Sequence, residues 1–285
     1  MSQRKIIFLT LFVCTLGLGL VVWREMDAGL IKKQVLVHAS VSVIASSSPN
    51  STIQSSASVA SVRVPIFIYH SVYPDFGGET RVQKGFSVTP EIFEKQLAYL
   101  ANNGYTAISL DDLERYIKLG TTTVARPVML TFDDGWKNEY TYAFPLLKKY
   151  NMTATFFIYT NPIGKDKRFM TWEDVQEMDA AGMSIQGHSL SHPYLTKMPI
   201  DQERREVVES KKKLEEKLGK KVTHFASPFG QTDERLVSLL KEAGYSTGRT
   251  TVWGATHSER DLMSLSGFLV ERDMRQFIWV LEKAK

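Results

Sequence analysis

The sequence predicts an α/β fold in which a parallel sheet, covered by helices, curls into an irregular (β/α) barrel. From Pro65 onward, apolar runs of strand length alternate with amphipathic runs of helix length, the pattern of parallel strands joined by crossover helices. At least six such units fit between Pro65 and Lys285, which favours a barrel, complete or not, over an open sheet, although pattern alone leaves both open. The single cysteine, Cys14, lies outside this region, so the fold must rest on packing without disulfides, and any metal must be held by His and carboxylate.

Taken in order, PIFIYH (65–70) reads as the first buried strand. Thr89-Pro90-Glu91 then supplies an N-cap, a proline at the first helical position and an acid in the first turn. Phe93, Leu97 and Leu100 follow at helical spacing, and Gly104 closes the helix. TAISL (106–110) is the next strand and 111–119 the next helix. VMLTF (128–132) is a buried strand, and 140–150 a helix that Pro145 should kink. ATFFIY (154–159) is a strand; Thr171 caps a helix ending at Gly182. SIQGH (184–188) is followed by a long charged helix over 201–218. THFASP (223–228), a helix over 232–243 and a last helix over 270–282 complete the pattern.

Ahead of this region, Ile6–Trp23 is an uncharged run of 18 residues preceded by Arg4 and Lys5. At ~1.5 Å per residue it can just cross a hydrocarbon core of ~30 Å, and the basic flank favours a cytoplasmic N-terminus. The expected organisation is a cytoplasmic segment 1–5, a transmembrane signal-anchor 6–23, a Ser-rich flexible linker 24–62 and an extracytoplasmic domain 63–285. A cleaved signal peptide, which would make the protein secreted, is the rival; no small-residue cleavage site follows Val22-Trp23. The formal net charge of +4 is spread along the chain without Lys/Arg blocks, so no nucleic-acid partner is expected, and nothing points to an obligate protein partner.

Three clusters fall at predicted strand ends, where α/β folds collect their chemistry. In Thr131-Phe132-Asp133-Asp134-Gly135, adjacent carboxylates on an extended segment point in opposite directions. One can bind a cation while the other stays free to take a proton; a plain polar turn is the alternative. In His188-Ser189-Leu190-Ser191-His192, two imidazoles four apart would face one side if the segment formed a helical turn. With one carboxylate they make a usual set for a catalytic metal. A pair of surface histidines is the alternative, and a non-haem iron oxygenase would use the same three ligands. Phe225-Ala226-Ser227-Pro228-Phe229-Gly230 ends a strand with a turn able to aim a backbone N–H into a site. His70 ends the first strand on the same rim.

Together these residues resemble the polysaccharide deacetylase family with its NodB homology domain, over about Pro65–Lys285: TFDDG, the HSxxH pattern and the PFG turn occur in the family's order. The resemblance implies a deformed (β/α) barrel and one divalent metal, Zn2+ first, with Co2+, Ni2+ or Fe2+ as alternatives. It implies Asp134, His188 and His192 as metal ligands, Asp133 as general base and the Phe229 N–H as an oxyanion donor. The activity implied is removal of N-acetyl groups from an amino-sugar polymer such as peptidoglycan, poly-N-acetylglucosamine or chitin. Alternatives are an O-acetyl polysaccharide esterase and an inactive carbohydrate-binding relic. There are two departures. Many members carry an Arg before the turn that steadies the catalytic aspartate, where this chain has Ala226; many carry a late Leu-x-His that supplies the general acid, and His257 does not match it. His70 is the candidate acid in its place. Tyr69, Trp136 and Pro228 are candidate sugar contacts.

Overall fold

The computed structural model describes residues 61–283; the expected anchor at 6–23 and most of the expected linker lie outside them. No helix among the described residues is long and apolar enough to cross a membrane. The chain runs β1 (Ser61–Arg63), β2 (Ile66–Tyr69), β3 (Ser71–Val72), α1 (Arg81–Gly85), β4 (Ser87–Val88), α2 (Pro90–Asn102), β5 (Thr106–Ala107), α3 (Leu110–Leu119) and β6 (Pro127–Asp134). A π-helical turn, Glu139–Ala143, leads into α4 (Phe144–Lys149) and β7 (Thr155–Ile158). Then come α5 (Trp172–Ala180), β8 (Ser184–Gly187), α6 (Ile200–Leu218), β9 (His224–Ala226), α7 (Glu234–Glu242), β10 (Thr247–Arg249), β11 (Thr256–Ser258), β12 (Phe268–Leu269) and α8 (Met274–Lys283).

Eight strands form one sheet in the order β10-β9-β8-β7-β6-β2-β12, with β5 on the first residues of β6, and every pairing in it is parallel. The expected barrel is thus present as a strongly curled sheet. Its β10 edge is met by a single parallel bridge, Arg249 to Leu265, from the segment that leads to β12, through Leu265 N–H to Gly248 O (2.8 Å) and Thr250 N–H to Leu265 O (2.9 Å). That approach needs a glycine: a Cβ at Gly248 would lie 2.5 Å from the Met263 carbonyl oxygen. Alternate strand residues divide between two cores. Phe67, Leu130, Phe132, Phe156 and Phe225 pack with Phe93, Leu97, Val175 and Val207 of the helices. Ile66, Met129, Phe157, Ala226 and Leu265 pack with Leu110, Leu113 and Ile117 of α3.

The helix starts follow the expected chemistry. Thr89 and Thr171 accept from the N–H three residues on, Ser109 forms a capping box with Asp112, and Pro90 takes the first helical position. Several boundaries move. α7 begins at Glu234 because Asp233, not Thr232, provides the cap, its carboxylate accepting from Leu236 N–H at 2.8 Å. The expected 270–282 helix starts only at Met274: Val270 N–H reaches Ile68 O at 3.0 Å, prolonging the pairing of Phe268–Leu269 with β2. The expected 140–150 helix is divided into the π turn and α4, with Pro145 in the first turn of α4 where its missing N–H costs nothing. The fold is already built in at Ser61, since β1 pairs antiparallel with β11 and buries Val62.

Candidate active site

β6 does not stop at Phe132. It continues through both aspartates, with Asp133 opposite Phe157 and Asp134 opposite Ile158 of β7, so the two acids end the strand rather than follow it. Asp133 lies on the face occupied by Met129 and Phe157, and Asp134 (φ 87) begins the turn out of the sheet. His188 directly follows β8, and the next residues make no helical turn. Ser189 (φ 70) and His192 (φ 60) are both left-handed, and Ser189 Oγ accepts the His192 N–H at 3.0 Å. This tight loop, not helical spacing, turns the two imidazoles toward each other, 4.9 Å between ring centres.

Asp134 Oδ1 lies 3.6 Å from His188 Nε2 and 3.3 Å from His192 Nε2, so the structure brings these three residues together. The donor set fits a divalent cation on two counts. The buried Asp134 Oδ1 has no hydrogen-bond donor, whereas Oδ2 accepts from the Trp136 indole N–H at 2.9 Å. His188 Nδ1 lies 2.7 Å from the Ala226 carbonyl, which holds the proton on Nδ1 and leaves the Nε2 lone pair facing Asp134. Burial opposes the charge on Asp134, but the imidazoles of His188, His70 and His192 outweigh it and hold the carboxyl well below the ordinary range. Burial, then His188, push His192 below its usual value, so its ring is neutral at physiological pH and able to ligate.

Asp133 is 3% exposed and is gripped by Arg249, itself 1% exposed. No local motif in the sequence marks Arg249. It ends β10, and its register partner on β9 is Ala226, the very position where the family resemblance leads one to look for an arginine. The guanidinium therefore arrives from the neighbouring strand at the same level and on the same face, above the Phe157 ring at 5.2 Å. On the other side, His70 Nε2 is 3.9 Å from Asp133 Oδ2, and Phe86 packs edge-on to the ring at 5.1 Å. Burial lowers the proton affinity of His70, with Asp133 and Asp134 pulling it back up.

The SPFG turn projects over the same cavity. Phe229 is left-handed (φ 59, ψ 10) and its side chain stacks on Tyr194 at 3.8 Å. The turn is seated on the segment that follows β10: a Cβ at Gly230 would fall 2.6 Å from the Thr251 backbone nitrogen. Four of the five non-glycine residues with positive φ among the described residues (Asp134, Ser189, His192 and Phe229) belong to this site. At ~1–3 kcal/mol each, such strain persists only where the surroundings impose it.

The cavity measures about 980 Å³ and is walled by aromatic residues including Tyr73, Phe76, Phe86, Trp136 and Phe229. Two expected sugar contacts are not on its wall. Tyr69 is 2% exposed, stacks on Phe132 and donates its hydroxyl to Gln96 at 3.0 Å; it faces the helix-side core because it falls on the Phe67 face of β2. Pro228 is buried within its turn. Beneath the site lies Glu139, fully buried in the π turn and accepting the Trp136 N–H at 3.1 Å. Burial, then Asp134 and Asp133, push its carboxyl well above the usual value. A π turn is a frequent marker of functional sites, but nothing in the local sequence announces it.

Comparisons with known proteins agree with this geometry. The sequence model of a family described as polysaccharide deacetylase matches residues 120–248. YxkH of Bacillus subtilis (strain 168), whose name places it among polysaccharide deacetylases, is 30% identical over 203 residues, covering 71% of this chain and 70% of that protein. A poly-beta-1,6-N-acetyl-D-glucosamine N-deacetylase of Staphylococcus aureus is 26% identical over 200 residues, 66% of this chain and 68% of that one. Among solved structures, the Streptococcus pyogenes deacetylase PplD in complex with acetate superposes with a TM-score of 0.71 at 26% identity, over 77% of this chain and 98% of that one. With relatives matched along most of their length and the strand-end acids, paired histidines and SPFG turn gathered in one cavity, the chain belongs to the polysaccharide deacetylase family.

Proposed function

We propose that this protein is a metal-dependent hydrolase that removes N-acetyl groups from an amino-sugar polymer, releasing acetate and leaving a free amine. The observation that carries the reading is the pairing of two neighbouring carboxylates with opposite surroundings. Asp134 faces two imidazoles with an oxygen lacking any donor, and Asp133 lies beside them between Arg249 and His70.

Asp134, His188 and His192 would hold the cation. A divalent ion there would supply Lewis-acid polarisation of the acetyl carbonyl and would make the attacking water more acidic. Asp133 takes the proton from the attacking water as the oxygen adds to the acetyl carbon, with Arg249 fixing one carboxylate oxygen and leaving the other toward His70. General-base help of this kind contributes about 10²–10⁴-fold. The Phe229 N–H, fixed by its left-handed turn, donates to the charge developing on the acetyl oxygen. The C–N bond then breaks as the proton that Asp133 took from the water passes to His70, whose Nε2 lies 3.9 Å from Asp133 Oδ2, and from His70 to the departing nitrogen. Burial lowers the proton affinity of His70, which favours giving that proton up to the amine. Trp136, whose indole N–H holds Asp134, also lines the cavity where a sugar ring would lie.

The S. aureus relative's name makes β-1,6-linked poly-N-acetylglucosamine the first polymer to test. We also propose, from the apolar run 6–23 alone, that the chain is anchored in a membrane with this domain outside the cytoplasm. The deciding experiment measures acetate released from a panel of poly-N-acetylglucosamine, peptidoglycan, chitin oligomers and acetylated xylan, with and without chelator. Release from an N-acetylated polymer that stops on chelation and returns with zinc is expected. Release from acetylated xylan alone would turn the reading to an O-acetyl esterase, and no release from any polymer would turn it to a carbohydrate-binding relic.

A further inference from the structure

The loop that carries the two histidines is held from behind by one carboxylate. Glu206, near the middle of the long charged helix α6, is 9% exposed. Its Oε2 accepts the Leu190 N–H and the Ser191 N–H, both at 2.9 Å, and its Oε1 accepts the Ser191 hydroxyl at 2.6 Å. The two backbone donors are consecutive and follow the left-handed Ser189, the arrangement of a backbone nest that binds an anion. Here the anion is a side chain of the same protein. The cations nearby on α6 and α7 are engaged elsewhere, Arg205 with Glu209 and Arg235 with Glu203. The Glu206 charge is thus satisfied by this loop.

Leu190 and Ser191 are the residues between His188 and His192. Holding their N–H groups fixes the path of the chain from one imidazole to the other. Other restraints act on the loop's carbonyl side, where Thr160 N–H meets Ser189 O at 3.2 Å and Asn161 N–H meets Leu190 O at 2.8 Å. Only Glu206 gathers the donors that the left-handed turn leaves pointing at α6.

We infer that Glu206 is a positioning residue for the metal centre, setting cation affinity by locking the loop in the conformation that turns both Nε2 atoms toward Asp134. The inference rests on the metal-dependent reading above, and the experiment separates the two. Zinc binding to the full-length protein is measured by competition with a chromophoric chelator, alongside the melting temperature of the metal-free protein. Wild type is compared with Glu206→Ala, Glu206→Gln and Ser191→Ala, and with Glu209→Ala one turn along the same helix as control. Loss of a group that orients a ligand lowers metal affinity about 10–100-fold. That loss is expected for Glu206→Ala, a smaller one for Glu206→Gln and Ser191→Ala, and none for Glu209→Ala. At saturating zinc, kcat should recover with KM unchanged, which a general loss of folding would not allow. Wild-type zinc affinity in every variant that folds overturns the inference while leaving the metal reading standing. If Glu206→Ala does not fold, Ser191→Ala and Glu206→Gln decide it by the same measure. Failure of the wild type to bind zinc, cobalt or nickel overturns both.

Discussion

Replacing Arg249 by methionine should damage stability and activity together, and supplying the guanidinium from position 226 instead should return both. Arg249 and Asp133 form an ion pair in which both partners are almost wholly buried. Methionine fills much of the same volume but leaves the Asp133 carboxylate without its cation. Removing one partner of a buried pair costs about 3–5 kcal/mol. For a domain of this size each kcal/mol lowers the melting temperature by roughly 2–4 °C, so a fall of about 6–20 °C is expected. Asp133, the proposed general base, also loses the group that aims it, so kcat should fall by a large part of the ~10²–10⁴-fold that such a base supplies. The rescue follows from register: Ala226 is the direct neighbour of Arg249 across the β9–β10 pairing, on the same face of the sheet. In the double variant Ala226→Arg, Arg249→Ala, a guanidinium enters the space the other one leaves. It should recover most of the lost melting temperature and bring kcat within about tenfold of wild type, as general-base contributions scale. Thermal unfolding and acetate release on the preferred polymer are the assays. If Arg249→Met melts at the wild-type temperature and turns over at the wild-type rate, the role given to this pair is wrong.

Three other substitutions probe the remaining parts. Trp136→Phe keeps the ring that stacks on Phe169 at 4.3 Å but deletes the N–H that fixes Asp134 Oδ2; zinc affinity should drop about 10–100-fold, read by chelator competition, and an unchanged affinity would refute the orienting role. His70→Asn should cut kcat by about 10²–10⁴-fold while zinc still binds, because His70 touches Asp133 and not the ligand set; loss of zinc would place His70 differently. Glu139→Gln tests the buried acid beneath the site. The native carboxyl has its pKa raised by burial, so its contribution to stability is complete below about 4.5 and is lost as pH rises through the native value, at up to ~1.4 kcal/mol per pH unit. Glutamine, which stays neutral, should flatten the fall in melting temperature of the chelator-treated protein between pH 5 and 8; the same slope in variant and wild type would refute the reading.

Much of the architecture was legible because it depends on local signals. The caps at Thr89 and Thr171 and the buried runs around Phe67, Leu130 and Phe157 declare themselves within a few residues. What failed depended on partners distant in sequence. Residues 270–273 read as the start of the last helix until β2 offers an edge to which Phe268–Leu269 and the Val270 N–H pair. The helix over 232–243 starts only at Glu234, because the folded turn makes Asp233 its cap. Tyr69 is an aromatic residue at the rim end of the first strand and so a candidate sugar contact, but alternation sends its ring to the core, and one step further His70 faces the cavity. For His188 and His192 the spacing was the right signal with the wrong cause: two left-handed residues, not a helical turn, bring the rings together.

Arg249 and Glu206 show why the supporting half of a site escapes a reading by motif. The groups that touch substrate or metal must sit at particular strand ends, so they recur in fixed local patterns. The groups that hold them in place need only deliver a charge to a point in space, and several positions can do so. A guanidinium can reach Asp133 from β9 or from β10, because Ala226 and Arg249 are level neighbours on one face. A carboxylate can meet the Leu190 and Ser191 N–H groups from any residue of α6 that faces the loop, and Glu206 is the one that does. In the sequence, one looks like a basic residue near a turn and the other like part of a solvated helix. The absence of an arginine at position 226 therefore did not mean an unsupported base. A departure from a family motif is evidence of lost activity only after the neighbouring strands have been searched for the same charge.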